Sequence, residues 1–178
     1  INLAAKGKYN TKPGVNVGSV IVKNGKIIGQ GFYEGYGGRH AEINAINDVR
    51  NRYKKNFSSQ ISGSEIFITL EPCSKKGKTG ACVDELIKYD FKRIIVGSED
   101  PTQNGLGKLR KAGYKIRNLN DQRCVDLNKG FLHKAKFKRL NTPDMSYHGV
   151  VFTEAMGEAA FIGAARVVPL RNMGAAIS

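Results

Sequence analysis

Two cysteines, Cys73 and Cys82, lie at a junction between two kinds of hydrophobic pattern. An alternating apolar run at residues 66–70 precedes them and a helical pattern at residues 83–89 follows, so both thiols fall where a strand ends and a helix begins. A helix N-terminus favours the thiolate, which is the form of cysteine that binds a metal ion. The stretch 69–82 therefore predicts a metal site at this junction.

A second helical pattern opens on His40-Ala41-Glu42 and supplies an imidazole and a carboxylate. One histidine and two cysteines, with an open fourth position, are typical of a catalytic zinc site. We therefore expect His40, Cys73 and Cys82 to bind Zn²⁺. Glu42 is too close in sequence to His40 to share its coordination and suits a proton shuttle, which with a zinc-activated water gives hydrolytic deamination.

A non-enzymatic interpretation is a zinc-stabilised scaffold that recruits partners through the C-terminal segment. Glu42 argues against it, because a scaffold has no use for a carboxylate beside the open metal position.

The composition is that of a globular protein, with 40% hydrophobic and 25% charged residues in a chain of 178. No apolar run reaches the roughly 20 residues that cross a bilayer, so we expect a cytoplasmic protein without membrane contact. Reduced cysteines are the rule in that compartment, which favours metal binding over a disulfide framework. Cys124 lies in a helical pattern and is predicted to be a small buried hydrophobic residue.

The net charge is +14, and it belongs to the residues before position 144, since the remainder holds two basic and three acidic side chains. The lysines are scattered, which indicates solvated faces more than a binding patch. A nucleic-acid partner is the less favoured alternative.

The order of patterns predicts an α/β fold, a three-layer α/β/α sandwich around a five-stranded mixed sheet. Asn24-Gly25 is a strong hairpin signal between the first two strands, and residues 56–64 are expected to form a loop. The predicted strands are 17–23, 26–33, 65–70, 92–97 and 114–119; the predicted helices are 40–53, 83–89, 105–112 and 121–137, after a helix end at 1–6. Residues 1–140 are interpreted as a zinc-dependent deaminase domain. Residues 141–178, where lysine disappears and alanine rises, are a tail of unknown role.

The residues around the cysteines resemble a known family. The zinc-deaminase motif is His-x-Glu followed by Pro-Cys-x-x-Cys, but here the second cysteine comes nine positions after Cys73. This longer loop resembles the deaminase domain of bacterial riboflavin-biosynthesis deaminase/reductases rather than cytidine or tRNA-adenosine deaminases. The resemblance covers about residues 1–140 and includes residues 17–22, Gly37-Gly38-x-His40-Ala41-Glu42, Asp100-Pro101, Lys111-Ala112-Gly113 and Gly130-Phe131-Leu132-His133.

The resemblance implies a cytidine-deaminase-like fold and a phosphorylated pyrimidine substrate. The implied reaction removes the 2-amino group of 2,5-diamino-6-ribosylamino-4(3H)-pyrimidinone 5′-phosphate and releases ammonia. Lys78 and Thr79 match the family loop in which the lysine is associated with the ribose phosphate. We further expect a homo-oligomer. Nothing in residues 141–178 resembles the family's reductase domain, so no reductase activity is expected.

Several pocket positions depart from the family pattern. Gly14 replaces a substrate-holding asparagine, Tyr33 replaces a histidine and Lys75 replaces another histidine. Recognition is then rebuilt around Lys75, Lys78 and Tyr33, or the substrate is another pyrimidine, a pterin-like ring or a nucleic-acid base. Asn16 is a candidate replacement for the lost asparagine, although a turn position is the simpler interpretation.

Overall fold

The computed structural model describes residues 1–7, 14–75 and 80–140. Its elements, in chain order, are α1 (Asn2–Ala5), β1 (Gly18–Lys23), β2 (Lys26–Phe32), α2 (Ala41–Tyr53), α3 (Phe57–Ile61), β3 (Glu65–Ile68), α4 (Cys82–Leu86), β4 (Arg93–Val96), α5 (Gly105–Lys111), β5 (Ile116–Asn118), α6 (Gln122–Leu127) and α7 (Lys129–Leu140). Within these described residues, no helix has the length and apolar character needed to cross a membrane.

The five strands form one mixed sheet, as the sequence predicted, and their order in it is β2-β1-β3-β4-β5. β1 pairs antiparallel with β2 and β3, whereas β3, β4 and β5 run parallel to one another. The β1–β2 hairpin turns at Asn24 and Gly25, whose φ angles of 50° and 75° suit a tight two-residue turn. The parallel half brings the carboxyl ends of β3 and β4 to the same edge of the sheet.

Glycines in β2 allow α2 to lie directly on the sheet. A Cβ atom at Gly31 would collide with the Ala41 carbonyl oxygen and the Ala45 nitrogen, and one at Gly29 would collide with the Val49 side chain. This close approach fixes the start of α2, where His40 and Glu42 lie.

Helices cover both faces of the sheet, as expected for three layers. Successive residues of a strand point to opposite faces of the sheet. Ser19 pairs with Gly31 and so lies on the face that α2 covers, which places Gly18 on the other face. A Cβ at Gly18 would meet Ala4 of α1, and a Cβ at Gly97, just after β4, would meet Cys124 of α6. These contacts place α1 and α6 on the face opposite α2, and Cys124 is buried as predicted.

The predicted loop at 56–64 is wrong, because it contains the helix Phe57–Ile61 after a 3₁₀ turn at Lys54–Asn56. Phe57 and Ile61 are four residues apart and both pack against the core. The ring of Phe57 meets that of Tyr89 edge to face, with centroids 5.7 Å apart. This distant contact stabilises a helix whose local sequence is polar.

The single helix predicted at 121–137 is also wrong, since the structure divides it into α6 and α7 at Asn128. The buried Asn128 side chain accepts a hydrogen bond from the Asn16 N–H (2.7 Å) and donates one to the Asn16 carbonyl oxygen (3.0 Å). This pairing with a segment 112 residues earlier accompanies the break. The start of α6 agrees with prediction, because Asp121 is its N-cap and accepts a hydrogen bond from the Arg123 N–H.

Candidate metal centre and active site

Three side chains that could bind a metal ion meet at the edge of the sheet where β3 ends. His40 is the N-cap residue of α2, Cys73 lies in the loop after β3 and Cys82 is the first residue of α4. Their ligand atoms lie within 4.8 Å of one another, which is close enough to share one ion. The structure therefore brings together the three residues that the sequence selected as metal ligands.

Hydrogen bonds connect these three residues. His40 Nδ1 is 3.0 Å from Cys82 Sγ and 3.5 Å from Cys73 Sγ, and the Cys82 backbone N–H donates to Cys73 Sγ at 3.2 Å. The Val83 N–H donates to the Cys73 carbonyl oxygen at 3.2 Å. The loop and the first turn of α4 thus hold the two sulfur atoms close together.

The electrostatics favour a thiolate at Cys73. The hydrogen bond from the Cys82 thiol, assisted by His40, lowers the pKa of Cys73 to about 4. The pKa of Cys82 is raised, first because its thiol donates to Cys73 and second because it is buried. The pKa of His40 is raised, chiefly by its hydrogen bond with Cys73.

The donor set fits zinc. One imidazole and two thiolates are ligands that Zn²⁺ accepts, and three protein ligands leave a fourth position for water or substrate. Two of the three candidate ligands, His40 and Cys73, also line a cavity. These residues could therefore hold a catalytic zinc ion.

Glu42 is a buried carboxylate in the first turn of α2, with 3% of its surface exposed. It lines the same cavity as His40 and Cys73. Burial raises the pKa of Glu42, because a low-dielectric environment disfavours the charged form. A raised pKa makes the carboxylate a stronger base, which suits it to accept a proton and then return it.

The cavity has a volume of about 280 Å³. Sequence reasoning gave no site role to several of its lining residues: Val17, Leu70, Glu71, Asp100, Gln103 and Phe131. The strand order offered a signal for some of them. Leu70, Glu71 and Asp100 follow the carboxyl ends of the parallel strands β3 and β4, where ligands bind in α/β sheets.

The substrate-binding candidates from the sequence have different positions. Tyr33 lines the cavity, and its ring meets that of His40 edge to face at 5.3 Å between centroids. Lys75 and Asn16 are not among the residues that line this cavity; Lys75 Nζ donates to the Thr102 carbonyl oxygen at 2.8 Å. Gly14 does line it. Lys78 and Thr79 lie outside the described residues.

Glu71 connects the cysteine loop to the loop after β4. Its Oε2 accepts a hydrogen bond from the Asp100 N–H (3.1 Å), and its Oε1 accepts one from the Leu106 N–H (3.0 Å). Leu106 lies in the first turn of α5, so Glu71 also satisfies an unpaired N–H of that helix. One buried carboxylate therefore fixes two walls of the cavity relative to each other.

Known proteins resemble this chain in sequence and in fold. Residues 1–98 match the family described as the cytidine and deoxycytidylate deaminase zinc-binding region. The diaminohydroxyphosphoribosylamino-pyrimidine deaminase of Buchnera aphidicola subsp. Schizaphis graminum is 41% identical over 80% of this chain and 91% of its own length. The riboflavin biosynthesis protein RibD of Escherichia coli is 36% identical over 76% of this chain and 36% of its own length.

Among solved structures, RibD of Acinetobacter baumannii (form 2) matches with a TM-score of 0.68 and 34% identity, over 75% of this chain and 37% of that one. The chain thus spans most of the Buchnera relative but little more than a third of either RibD protein. These similarities confirm the cytidine-deaminase-like fold and zinc as the family's metal. The chain belongs to the family of cytidine and deoxycytidylate deaminases that share this zinc-binding region.

Proposed function

We propose that this chain is a zinc hydrolase that deaminates a phosphoribosylated diaminopyrimidinone in riboflavin biosynthesis and releases ammonia. The relative that it matches over 91% of that protein's length is named for this deamination. The observation that carries the proposal is the placement of Glu42 and the His40–Cys73–Cys82 cluster around one cavity. A cavity of about 280 Å³ is large enough to take a single pyrimidine ring.

We assign His40, Cys73 and Cys82 as the ligands of the zinc ion and Glu42 as the catalytic acid and base. When bound, zinc makes a water molecule acidic enough to act as a nucleophile near neutral pH. Glu42 takes a proton from the attacking water and gives it to the adjacent ring nitrogen. It then carries the second proton to the departing amine. The oxygen of water is thereby bonded to the ring carbon, the C–N bond breaks and ammonia leaves.

Tyr33 has a positioning role in this scheme. Its edge-to-face contact with His40 restricts rotation of the imidazole ring, and it forms part of the wall against which a substrate would lie. Lys78 and Thr79 stay assigned to the substrate phosphate on the basis of the sequence motif alone.

The test is ammonia release from 2,5-diamino-6-ribosylamino-4(3H)-pyrimidinone 5′-phosphate, with zinc content measured on the same sample. We expect activity that disappears on chelation and returns with Zn²⁺. The Glu42→Gln variant should keep its zinc and lose about a hundredfold to ten-thousandfold in rate, the range attributed to general acid–base catalysis. Full activity in that variant would refute the assignment of Glu42.

A second candidate keeps this chemistry and changes the substrate to another pyrimidine, a pterin-like ring or a nucleic-acid base. Two of the positions that depart from the family pattern, Gly14 and Tyr33, line the cavity, which favours this alternative. A panel of free and phosphorylated aminopyrimidines, assayed for ammonia, separates the two candidates. RNA binding that weakens with rising salt would favour the nucleic-acid version.

We further propose that residues 1–140 constitute the deaminase domain. The match to the zinc-binding region covers residues 1–98, and residues Ile1–Phe137 form one compact unit. Expression of residues 1–140 alone should give a zinc-containing, active protein. The homo-oligomer expected from the sequence stays a prediction, which light scattering on the purified protein would test.

A further inference from the structure

The side-chain amide of Gln103 has an orientation that its neighbours determine. Gln103 lies in the loop between β4 and α5, and its Oε1 accepts hydrogen bonds from the Ser74 N–H (2.9 Å) and the Ser74 hydroxyl (3.2 Å). A backbone N–H can only donate, so the amide atom that faces it must be the oxygen. The Nε2 group, which carries two donor hydrogens, is therefore directed away from Ser74.

Ser74 is itself held firmly. It is buried, its hydroxyl oxygen accepts a hydrogen bond from the Asn104 N–H (3.0 Å), and Lys108 Nζ donates to its carbonyl oxygen (2.6 Å). Ser74 directly follows Cys73, a proposed zinc ligand. The amide of Gln103 is thus anchored to the same loop that presents the metal site, which gives it a defined position relative to the reacting atoms.

Gln103 lines the active-site cavity, and its Nε2 has no hydrogen-bond partner among residues 1–7, 14–75 and 80–140. The carboxylates on this wall already accept hydrogen bonds from the protein. Glu71 accepts from the Asp100 and Leu106 N–H groups, and Asp100 Oδ1 accepts from the Thr102 N–H and hydroxyl. Nε2 is therefore a neutral donor on this wall that is open to a ligand.

A donor without a protein partner selects the chemistry of the bound group. A ring carbonyl oxygen has lone pairs that can accept a hydrogen bond from Nε2. An amino group at the same place is itself a donor, so it could not accept from Nε2, and both groups would lack a hydrogen-bond partner. The wall formed by Gln103 therefore discriminates oxo from amino substituents on a ring.

We propose that Gln103 is a specificity-determining residue that donates a hydrogen bond from Nε2 to the ring carbonyl oxygen of the substrate. This inference rests on the proposed function, because the diaminopyrimidinone carries one ring carbonyl, at C4. The same ring with an amino group at C4 is the ligand that this contact rejects.

The test measures Kd by calorimetry for two ligands, the diaminopyrimidinone 5′-phosphate and its 4-amino analogue. The zinc-loaded protein carries Glu42→Gln throughout, so that neither ligand is turned over. With Gln103 present, the oxo ligand should bind about tenfold or more tightly than the amino ligand, as expected for one hydrogen bond and one avoided donor–donor contact. Gln103→Glu keeps an acceptor for Ser74 and places a second oxygen where Nε2 was, so the preference should reverse.

Two further variants control for charge and for folding. Gln30→Glu makes the same substitution at an exposed position in β2 and should leave the ratio of the two Kd values unchanged. Gln103→Met keeps the volume without polar atoms and should weaken the oxo ligand without strengthening the amino ligand.

An unchanged ratio in Gln103→Glu, an equal loss for both ligands, or no binding of either ligand to the Glu42→Gln protein would overturn the inference. Failure of the proposed function has a different result. The unmodified protein would then release no ammonia from the diaminopyrimidinone, even if the Kd ratio follows Gln103.

Discussion

Substitution of Gly31 by alanine tests whether the contact between α2 and β2 positions the active site. A Cβ at Gly31 would lie 2.7 Å from Asn44 Cβ and closer still to the Ala41 carbonyl oxygen and the Ala45 nitrogen. Ordinary contact begins at about 3.4 Å, so the start of α2 has to move away from the sheet by about 0.7 Å or more. Most of these atoms are backbone, which prevents a simple side-chain adjustment.

The expected cost has two parts. Overpacking of this kind destabilises a protein by about 1–3 kcal/mol. His40 and Glu42 lie within two residues of Ala41, so both move with the helix. A displacement of about 1 Å at a catalytic group can lower the rate about a hundredfold. We therefore expect Gly31→Ala to lose both stability and activity, with activity affected more strongly than the fraction folded.

The assay combines three measurements on one sample: urea unfolding, zinc content and ammonia release at saturating zinc. Gly130→Ala in α7 is the matched control, because a Cβ there meets nothing within 4 Å and should cost no stability. Gly31→Ala protein that folds with full zinc and wild-type turnover would refute the claim that glycine contact between α2 and β2 positions the site.

Three other changes test neighbouring parts of the account. Glu71 accepts hydrogen bonds from two backbone N–H groups, and Glu71→Gln would direct an amide NH₂ toward one of these donors. The free energy of unfolding, measured in urea, should fall by about 1–3 kcal/mol. Asn128→Asp can still accept from the Asn16 N–H but sets a carboxylate oxygen against the Asn16 carbonyl oxygen, so urea unfolding should show a loss of about 1–3 kcal/mol; wild-type stability would contradict this. The hydrogen bond from Lys88 lowers the pKa of Glu85. The ionised Glu85 therefore adds a small amount to the stability of the fold above about pH 4.3, the pKa of an unperturbed glutamate, and this stabilisation is lost as the pH falls through the pKa of Glu85 in the folded protein. Stability of wild type and Glu85→Gln should therefore differ more at pH 7 than at pH 3, and a constant difference would argue against it.

The sequence was sufficient to select the three candidate metal ligands that the structure brings together, because local patterns place each of them. His40 and Cys82 each begin a helix, and Cys73 follows a strand, so residue type and position along the chain gave their placement before the structure was known. The sheet was predictable for a similar reason: each strand carries its own apolar pattern, and Asn24-Gly25 marks the hairpin.

The remainder depends on contacts between distant segments, which no local pattern contains. Gln103 and Ser74 are 29 positions apart, and Asn128 and Asn16 are 112 apart, so neither pairing has a signal in its own segment. The helix that begins at Phe57 was missed because its stability comes from packing against the core, including the ring of Tyr89. Tertiary contact outweighed local propensity in each of these cases.

X-ray absorption at the zinc K-edge, on protein loaded with one equivalent of Zn²⁺, measures the ligands of the metal site. We expect two sulfur ligands at about 2.3 Å, one nitrogen at about 2.0–2.1 Å and one light-atom ligand in the fourth position. Cys73→Ser and Cys82→Ser should each lose one sulfur ligand, whereas Cys124→Ser should leave the spectrum unchanged. Three sulfur ligands, a spectrum that responds to Cys124, or no stoichiometric zinc would contradict the site described above.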